Sequence, residues 1–394
     1  MLTKNIAVLG VGTAGLTSLS HCLSYLSKDS KVISIYDPTI PMLGIGESTT
    51  VALPEILFAG ADFTMLHDYQ ELDATIKQGV KYVDWRETDF FSKIIPPSHA
   101  IHFNNFKLKD FCFSRFKSIW KEKFVEHQGK VLEIIENTNN VIIKTQTENI
   151  VCDYVIDCRG WPEDYTDFEI LDSIPVNHCL VNMVPTPGDW NYTYHVAHRN
   201  GWMFGIPLKT RQGWGYLYND QITDRQDALE DISARFKTPI NELNLREFTF
   251  KNFRAKKFLQ GRILKNGNRA LFYEPLEALS GHFYHQILRY FFDFLWERNT
   301  SEEINKFLYD LAVDTELFMC YVYHGGSKYD SNFWNIVKNK TTLKLQNSER
   351  FKFYVNRMKN FNVEDRNKHI SVGPLSYRNW YDFDQYLGYK YFSN

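Results

Sequence analysis

The residues of this chain that could do chemistry fall in a few short stretches. The first is Gly10-Val11-Gly12-Thr13-Ala14-Gly15, set between the apolar run Asn5-Ile6-Ala7-Val8-Leu9 and a helix-forming stretch that reaches about Leu26. Strand, Gly-x-Gly-x-x-Gly and helix in that order point to dinucleotide binding. Gly10 permits the tight turn, Gly12 lets the backbone approach a pyrophosphate, and Gly15 lets helix pack on strand. The helix start at Thr13 and Ala14 then offers amide donors and a favourable dipole to the phosphates. Residues 31–37 form the expected second strand, whose last residue, Asp37, lies where a carboxylate can grip a ribose 2′-hydroxyl. FAD and NAD both fit this pattern.

A loop follows, Met42-Leu43-Gly44-Ile45-Gly46-Glu47-Ser48-Thr49-Thr50, able to serve as a flexible connection or to bring backbone and hydroxyls to a cofactor. Lys77 comes next, in Thr75-Ile76-Lys77-Gln78-Gly79; by residue type alone it reads as a surface lysine. In Gly201-Trp202-Met203-Phe204-Gly205-Ile206-Pro207, the residues Trp202, Phe204 and Ile206 recur at period two, one face of a strand, and Pro207 ends the pairing. The last stretch runs from Gly267 through Glu274-Pro275-Leu276-Glu277 to Gly281, a turn-rich lead into a long helix. That is a second helix N-terminus suited to an anion or a flavin. Glu277 by itself reads as an acid stabilised by the helix dipole, Glu274 as structural, and His282 and His285 as core or surface histidines. No third ligand accompanies those histidines, so no metal is expected.

The elements that must position these residues follow from pattern. Residues 51–75 read as helical, and a strand begins near Gly79. Residues 106–127 read as a basic, aromatic helix. Residues 130–135, 141–145 and 150–157 read as a three-stranded meander ending in Asp157-Cys158-Arg159-Gly160. Residues 176–218 are β-rich, with 213–218 the hairpin partner of 201–207. Residues 222–240 and about 282–297 read as helices, as does much of the C-terminal hundred. The expected architecture is α/β: a Rossmann-like, GxGxxG FAD-binding fold of the flavin-monooxygenase type with an interleaved β-rich and helical substrate subdomain. One interleaved unit spans 1–394. Residues 1–50, 128–165 and 260–295 form its FAD-binding part; 51–127, 166–259 and 296–394 form its substrate side.

Bulk composition sets the outer bounds. Forty-five basic and 47 acidic residues are well mixed, for a net charge of −2, which argues against a nucleic-acid footprint or an anionic-membrane surface. No window approaches the ~18 apolar residues of a membrane helix. The six cysteines form no Cys-x-x-Cys pair, so reduced thiols in a cytoplasmic protein are expected. The first residues run straight into a strand, and no signal peptide is expected.

Taken together and in order, these stretches resemble the flavin-dependent halogenases of the tryptophan-halogenase type. Gly10-x-Gly12-x-Ala14-Gly15 looks like the family's FAD loop. Gly44-Ile45-Gly46-Glu47-Ser48-Thr49 looks like its second flavin-contacting loop, which adds Gly46, Glu47 and Ser48 to the cofactor-binding set with Asn268 and Gly281. Thr75-Ile76-Lys77-Gln78-Gly79-Val80, followed by Trp85, is similar to the segment carrying the catalytic lysine, which falls on Lys77. Trp202-Met203-Phe204-Gly205-Ile206-Pro207 resembles the family's Trp-x-Trp-x-Ile-Pro signature, with Phe204 for the second tryptophan. Glu274-Pro275-Leu276-Glu277 resembles the passage carrying the second catalytic residue, Glu277.

The resemblance implies that reduced FAD, O2 and halide generate hypohalous acid. Lys77 then uses this as a hydrogen-bond donor or by forming a haloamine, and Glu277 polarises the electrophile or accepts the ring proton. Trp202, Phe204, Ile206 and Pro207 would form a wall beside the flavin. The family's Ser-Thr-Gly after the glutamate is here Ala278-Leu279-Ser280, and halide would meet the backbone amides of Leu279 and Ser280. Such a pocket leans towards bromide and iodide over chloride. The chain is shorter than typical members after Trp85 and towards its C-terminus, which points to an open site for indoles, phenols or heteroarenes and leaves free tryptophan in question. A separate flavin reductase is implied, and a homo-oligomer is left open. An FAD-dependent aromatic monooxygenase and a degenerate, non-catalytic flavoprotein are the competing readings.

Overall fold

The computed structural model describes residues 2–42, 44, 48–361, 365, 370–372 and 375–391. Its first layer is a six-stranded sheet in the order Leu259–Gln260, Ile263–Lys265, Tyr154–Asp157, Ile6–Leu9, Val32–Tyr36, Phe124–Gln128. The five strands from Ile263–Lys265 to Phe124–Gln128 run parallel. Ile6, Ala7, Val8 and Leu9 are all fully buried, as a parallel strand covered on both faces must be. One face packs Ile6, Val8 and Val32 against the helix Thr13–Tyr25 and its neighbours. The other packs Ala7, Leu9, Ile33 and Ile35 against Val141, Ile143 and Cys152 of the meander Val131–Glu136, Val141–Thr145, Asn149–Cys152. This is a mixed α/β, Rossmann-like arrangement.

A second, seven-stranded sheet runs Leu245–Thr249, His178–Val184, Gln212–Tyr218, Gly201–Pro207, Thr193–His198, Gly79–Val83, Phe90–Lys93. Its pairs are antiparallel except Thr193–His198 with Gly79–Val83. The helix Ser301–Tyr323 starts at a reciprocal capping box between Thr300 and Glu303. With Asn332–Gln346, Glu349–Met358 and Tyr377–Leu387 it makes up the C-terminal helices. No helix among the described residues is long and apolar enough to cross a membrane. All six cysteines are buried and none is disulfide-bonded.

Five elements differ from the pattern-based expectation. Residues 51–75 hold two separate helices, Ala52–Ala61 and Met65–Asp68, with Thr75 already in a strand. Residues 124–128 are an edge strand of the nucleotide sheet, the preceding helix ending at Trp120. The last meander strand is two strands divided at Asp153, where the Asp153 amide donates to Asn5 O and the Asn5 amide to the Asp153 carboxylate. The segment around Lys77 is also two strands, Thr75–Lys77 and Gly79–Val83, in different sheets. A Cβ on Gly79 would lie 2.3 Å from Ser92 O, so only glycine passes the chain from one sheet to the other. The long helix begins at Leu279, three residues before His282.

Candidate active site

At the nucleotide loop, Gly10 has φ +94° and a Cβ there would sit 2.8 Å from Cys158 O, while one on Gly15 would sit 2.0 Å from Gly10 O. Both positions require glycine. Gly12 caps the helix with no side-chain bond to its first turn, and a Cβ there would meet nothing within 4 Å. Free amides facing open space make a cradle for a diphosphate, so these residues fit FAD. Thr13 Oγ1 donates to Asn105 Oδ1 at 3.1 Å, and Ala14 backs the loop of Gly267, whose Cβ would fall 2.5 Å from its own.

Asp37 follows the second strand and accepts from Thr39 N and Oγ1, which lowers its carboxyl pKa. Tyr284 OH donates to Asn268 Oδ1 at 3.4 Å, and Gly281 has open space where a Cβ would be. Gly46 and Glu47 lie outside the described residues. Asp157, in the stretch that ends the expected meander, is paired with Arg159 and Arg269 in a charged cluster beside this loop.

Lys77 is not on the surface. It ends the short Thr75–Lys77 strand, paired with Ala100–His102, and is only 3% exposed. Its Nζ donates to Ser48 Oγ at 2.9 Å and Thr49 O at 3.0 Å. Ser48 Oγ lies 3.1 Å from Thr193 Oγ1, which lies 2.9 Å from His102 Nε2. His102 Nδ1 is 3.1 Å from Thr75 Oγ1, and that hydroxyl donates to Pro207 O at 2.8 Å. Burial pushes the Lys77 amine down to about 8, with Glu277 opposing.

Glu277 sits in a left-handed conformation at φ 59°, followed by Ala278 at φ 55°. Two successive non-glycine residues there are strained by ~1–3 kcal/mol each, and that kink turns the carboxylate towards the sheet. Tyr82 OH donates to Glu277 Oε1 at 2.7 Å. The side chain retains some exposure, but burial still raises its carboxyl, with Tyr82, Lys77 and Ser92 pulling the other way. Leu279 is buried, and Ser280 Oγ donates to Tyr273 O at 3.4 Å. Glu274 is 1% exposed. It accepts from Leu276 N at 2.9 Å and Tyr323 OH at 3.1 Å, and burial raises it to about 8. His282 is held down to about 4 by burial.

The seven-stranded sheet joins these parts. Register and pleat place Val80 and Tyr82, Thr193 and His195, and Trp202, Phe204 and Ile206 on one face. Trp202, Phe204, Ile206 and Leu208 are all buried. Trp202 Nε1 donates to Tyr323 OH at 2.7 Å, which continues to Glu274. His195 sits between Tyr82 and Trp202, with ring centroids 5.0 and 4.8 Å away. Phe204 lies over Gly215, where a Cβ would come 2.3 Å from its ring. Tyr82, Thr193, His102 and Tyr323 were missed by sequence reasoning. The period-two pairs Val80/Tyr82 and Thr193/His195 carried a signal, but nothing local said that the strands were neighbours.

An α/β nucleotide fold thus lies beside a second sheet, with the buried lysine on the separate two-stranded Thr75–Lys77/Ala100–His102 sheet and the kinked glutamate in the turn before the long helix. This is a layout suited to a flavin-dependent enzyme. The profile described as tryptophan halogenase matches residues 5–148 and 128–369, and the chain belongs to that family. The tryptophan 6-halogenase ThaL of Streptomyces albogriseolus is 21% identical over 97% of this chain and 88% of its own length. The solved tryptophan 6-halogenase SttH of Streptomyces toxytricini has a TM-score of 0.79 at 16% identity, covering 97% of this chain and 90% of that one. BrvH, a flavin-dependent halogenase from Brevundimonas sp. BAL3, also reaches 0.79, at 15% identity over 98% of this chain and 90% of that one.

Proposed function

We propose that this enzyme halogenates an aromatic small molecule, with Lys77 handling hypohalous acid and Glu277 accepting the ring proton. The observation that carries the reading is the buried Lys77 amine, pushed down to about 8 by burial. An amine so desolvated is both a strong local donor and, once deprotonated, a nucleophile. Bound reduced FAD would supply two electrons to O2, the oxidant, so that halide is oxidised to hypohalous acid while FAD is left oxidised and the second oxygen atom leaves as water. The ring C–H then gives way to C–X as the O–X bond of hypohalous acid breaks. The hydroxide takes a proton from the Lys77 side and leaves as water, and the ring proton passes to the Glu277 carboxylate, whose raised proton affinity suits an acceptor. The sheet wall of Trp202, Phe204 and Ile206 keeps substrate apart from the flavin.

ThaL and SttH are named tryptophan 6-halogenases, which supports an indole-like ring, with phenols and heteroarenes in the same class. Bromide and iodide, easier to oxidise and desolvate, are favoured over chloride at the backbone amides of Leu279 and Ser280. A separate reductase supplies the reduced flavin.

The test is mass spectrometry of products from an indole and phenol panel with reduced FAD, O2, catalase and each halide. Halide-dependent products are expected, falling about 100-fold or more in Lys77→Ala. Undiminished product in that variant overturns the role of Lys77. Hydroxylation without halogen would make the enzyme a monooxygenase. Bound FAD without any product would make it a non-catalytic flavoprotein.

A further inference from the structure

We infer that Ser48, Thr193 and His102 are positioning residues that fix the direction of hydrogen bonding at Lys77 and so keep one position on its Nζ open to the oxidant. The inference rests on the proposed role of Lys77 and concerns what holds that amine.

The direction follows from donor counting. Pro207 O can only accept, so the single hydroxyl hydrogen of Thr75 is committed to it. His102 Nδ1, 3.1 Å from the same hydroxyl oxygen, must then carry the ring hydrogen and donate. Burial and the Lys77 charge hold His102 neutral, so Nε2 is an acceptor, and Thr193, 2.9 Å away, donates to it. With its hydrogen committed, Thr193 accepts from Ser48 at 3.1 Å. Ser48 in turn has no hydrogen left and can only accept from Lys77, as Thr49 O does.

Two N–H bonds of Lys77 are therefore placed in either protonation state. The remaining tetrahedral position holds the third hydrogen of the ammonium or the lone pair of the free amine, and among the described residues no acceptor meets it. Without Thr193 and His102, the Ser48 hydroxyl could rotate and donate to that lone pair, which would block it. The titratable groups facing Lys77 are Glu277, His102 and His195, with Tyr82 on Glu277.

The experiment compares the full chain with Thr193→Val and Thr193→Ser. In flavin-free protein labelled with ¹⁵N-histidine, His102 should show a protonated Nδ1 and a bare Nε2 at neutral pH; the opposite tautomer or an imidazolium overturns the inference. In Thr193→Val the released Ser48 hydroxyl stabilises the neutral amine, so the Lys77 titration, followed by lysine NMR, moves to lower pH. kcat should fall about 10-fold to 100-fold with KM unchanged, and Thr193→Ser should restore both. Wild-type titration and kcat in Thr193→Val overturn the inference while halogenation stands. The stated tautomer and titration shift without halogenated product from any variant leave the inference supported and remove the functional reading instead.

Discussion

Lys77 and Glu277 come from residues 200 positions apart in the chain, yet the charge on each opposes what burial does to the other. Burial favours the neutral amine and the neutral acid, while their mutual attraction favours both charges. Replacing Glu277 by Gln removes the proposed proton acceptor but keeps the shape. kcat should drop about 100-fold or more, with FAD affinity measured by fluorescence unchanged. Glu274 gives a different readout, since its carboxyl is raised from 4.5 to about 8. The folded state binds that proton more tightly than the unfolded chain, so the contribution is full below about 4.5 and is lost as pH rises through about 8. Tm should fall across that window, and Glu274→Gln should flatten the slope. The neighbours of Lys77 and Glu277 in sequence are enough to single them out as candidates. Their settings are not legible there, because Ser48 lies 29 and Tyr82 195 residues from the groups they bond.

At the scale of strands, Trp202, Phe204 and Ile206 were legible because alternation needs only one strand to be seen. What limits Phe204 was not legible: the space over it is set by Gly215 across the ladder and by Cys179 one strand further on. Gly215→Ala should overpack this layer and lower stability by ~1–3 kcal/mol in denaturant titration. Phe204→Trp, which restores the signature the sequence resembles, should carry a cost of the same kind. Tyr323→Phe cuts the link from Trp202 to Glu274 and leaves the indole N–H buried without a partner. That should cost ~1–3 kcal/mol. The break at Gly79 and the strand at 124–128 escaped pattern reading for a related reason. A short apolar run takes its state from the sheet it joins, and pairing between distant segments leaves no local mark.

On the scale of the molecule, the helices at the C-terminal end roof the second sheet. Phe383 of the helix Tyr377–Leu387 packs edge-on to Tyr82, Phe90 and Phe318, so the carboxylate partner Tyr82 is held from both sides. Phe383→Ala should cost ~3–5 kcal/mol and lower kcat more than FAD affinity. The nucleotide half was legible from one loop, whereas this roof has little motif content and is aromatic packing throughout. The buried cysteines gain a meaning from the proposed chemistry. Hypohalous acid attacks the sulfur of the protein that makes it, and thiolates react before thiols. Here every thiol is enclosed and burial raises its pKa, to about 12 for Cys22, Cys152, Cys179 and Cys320. The interior is thereby passivated against its own oxidant. After many turnovers, peptide mass spectrometry should find sulfoxide on half-buried Met42, Met65 and Met183 before it finds an oxidised cysteine.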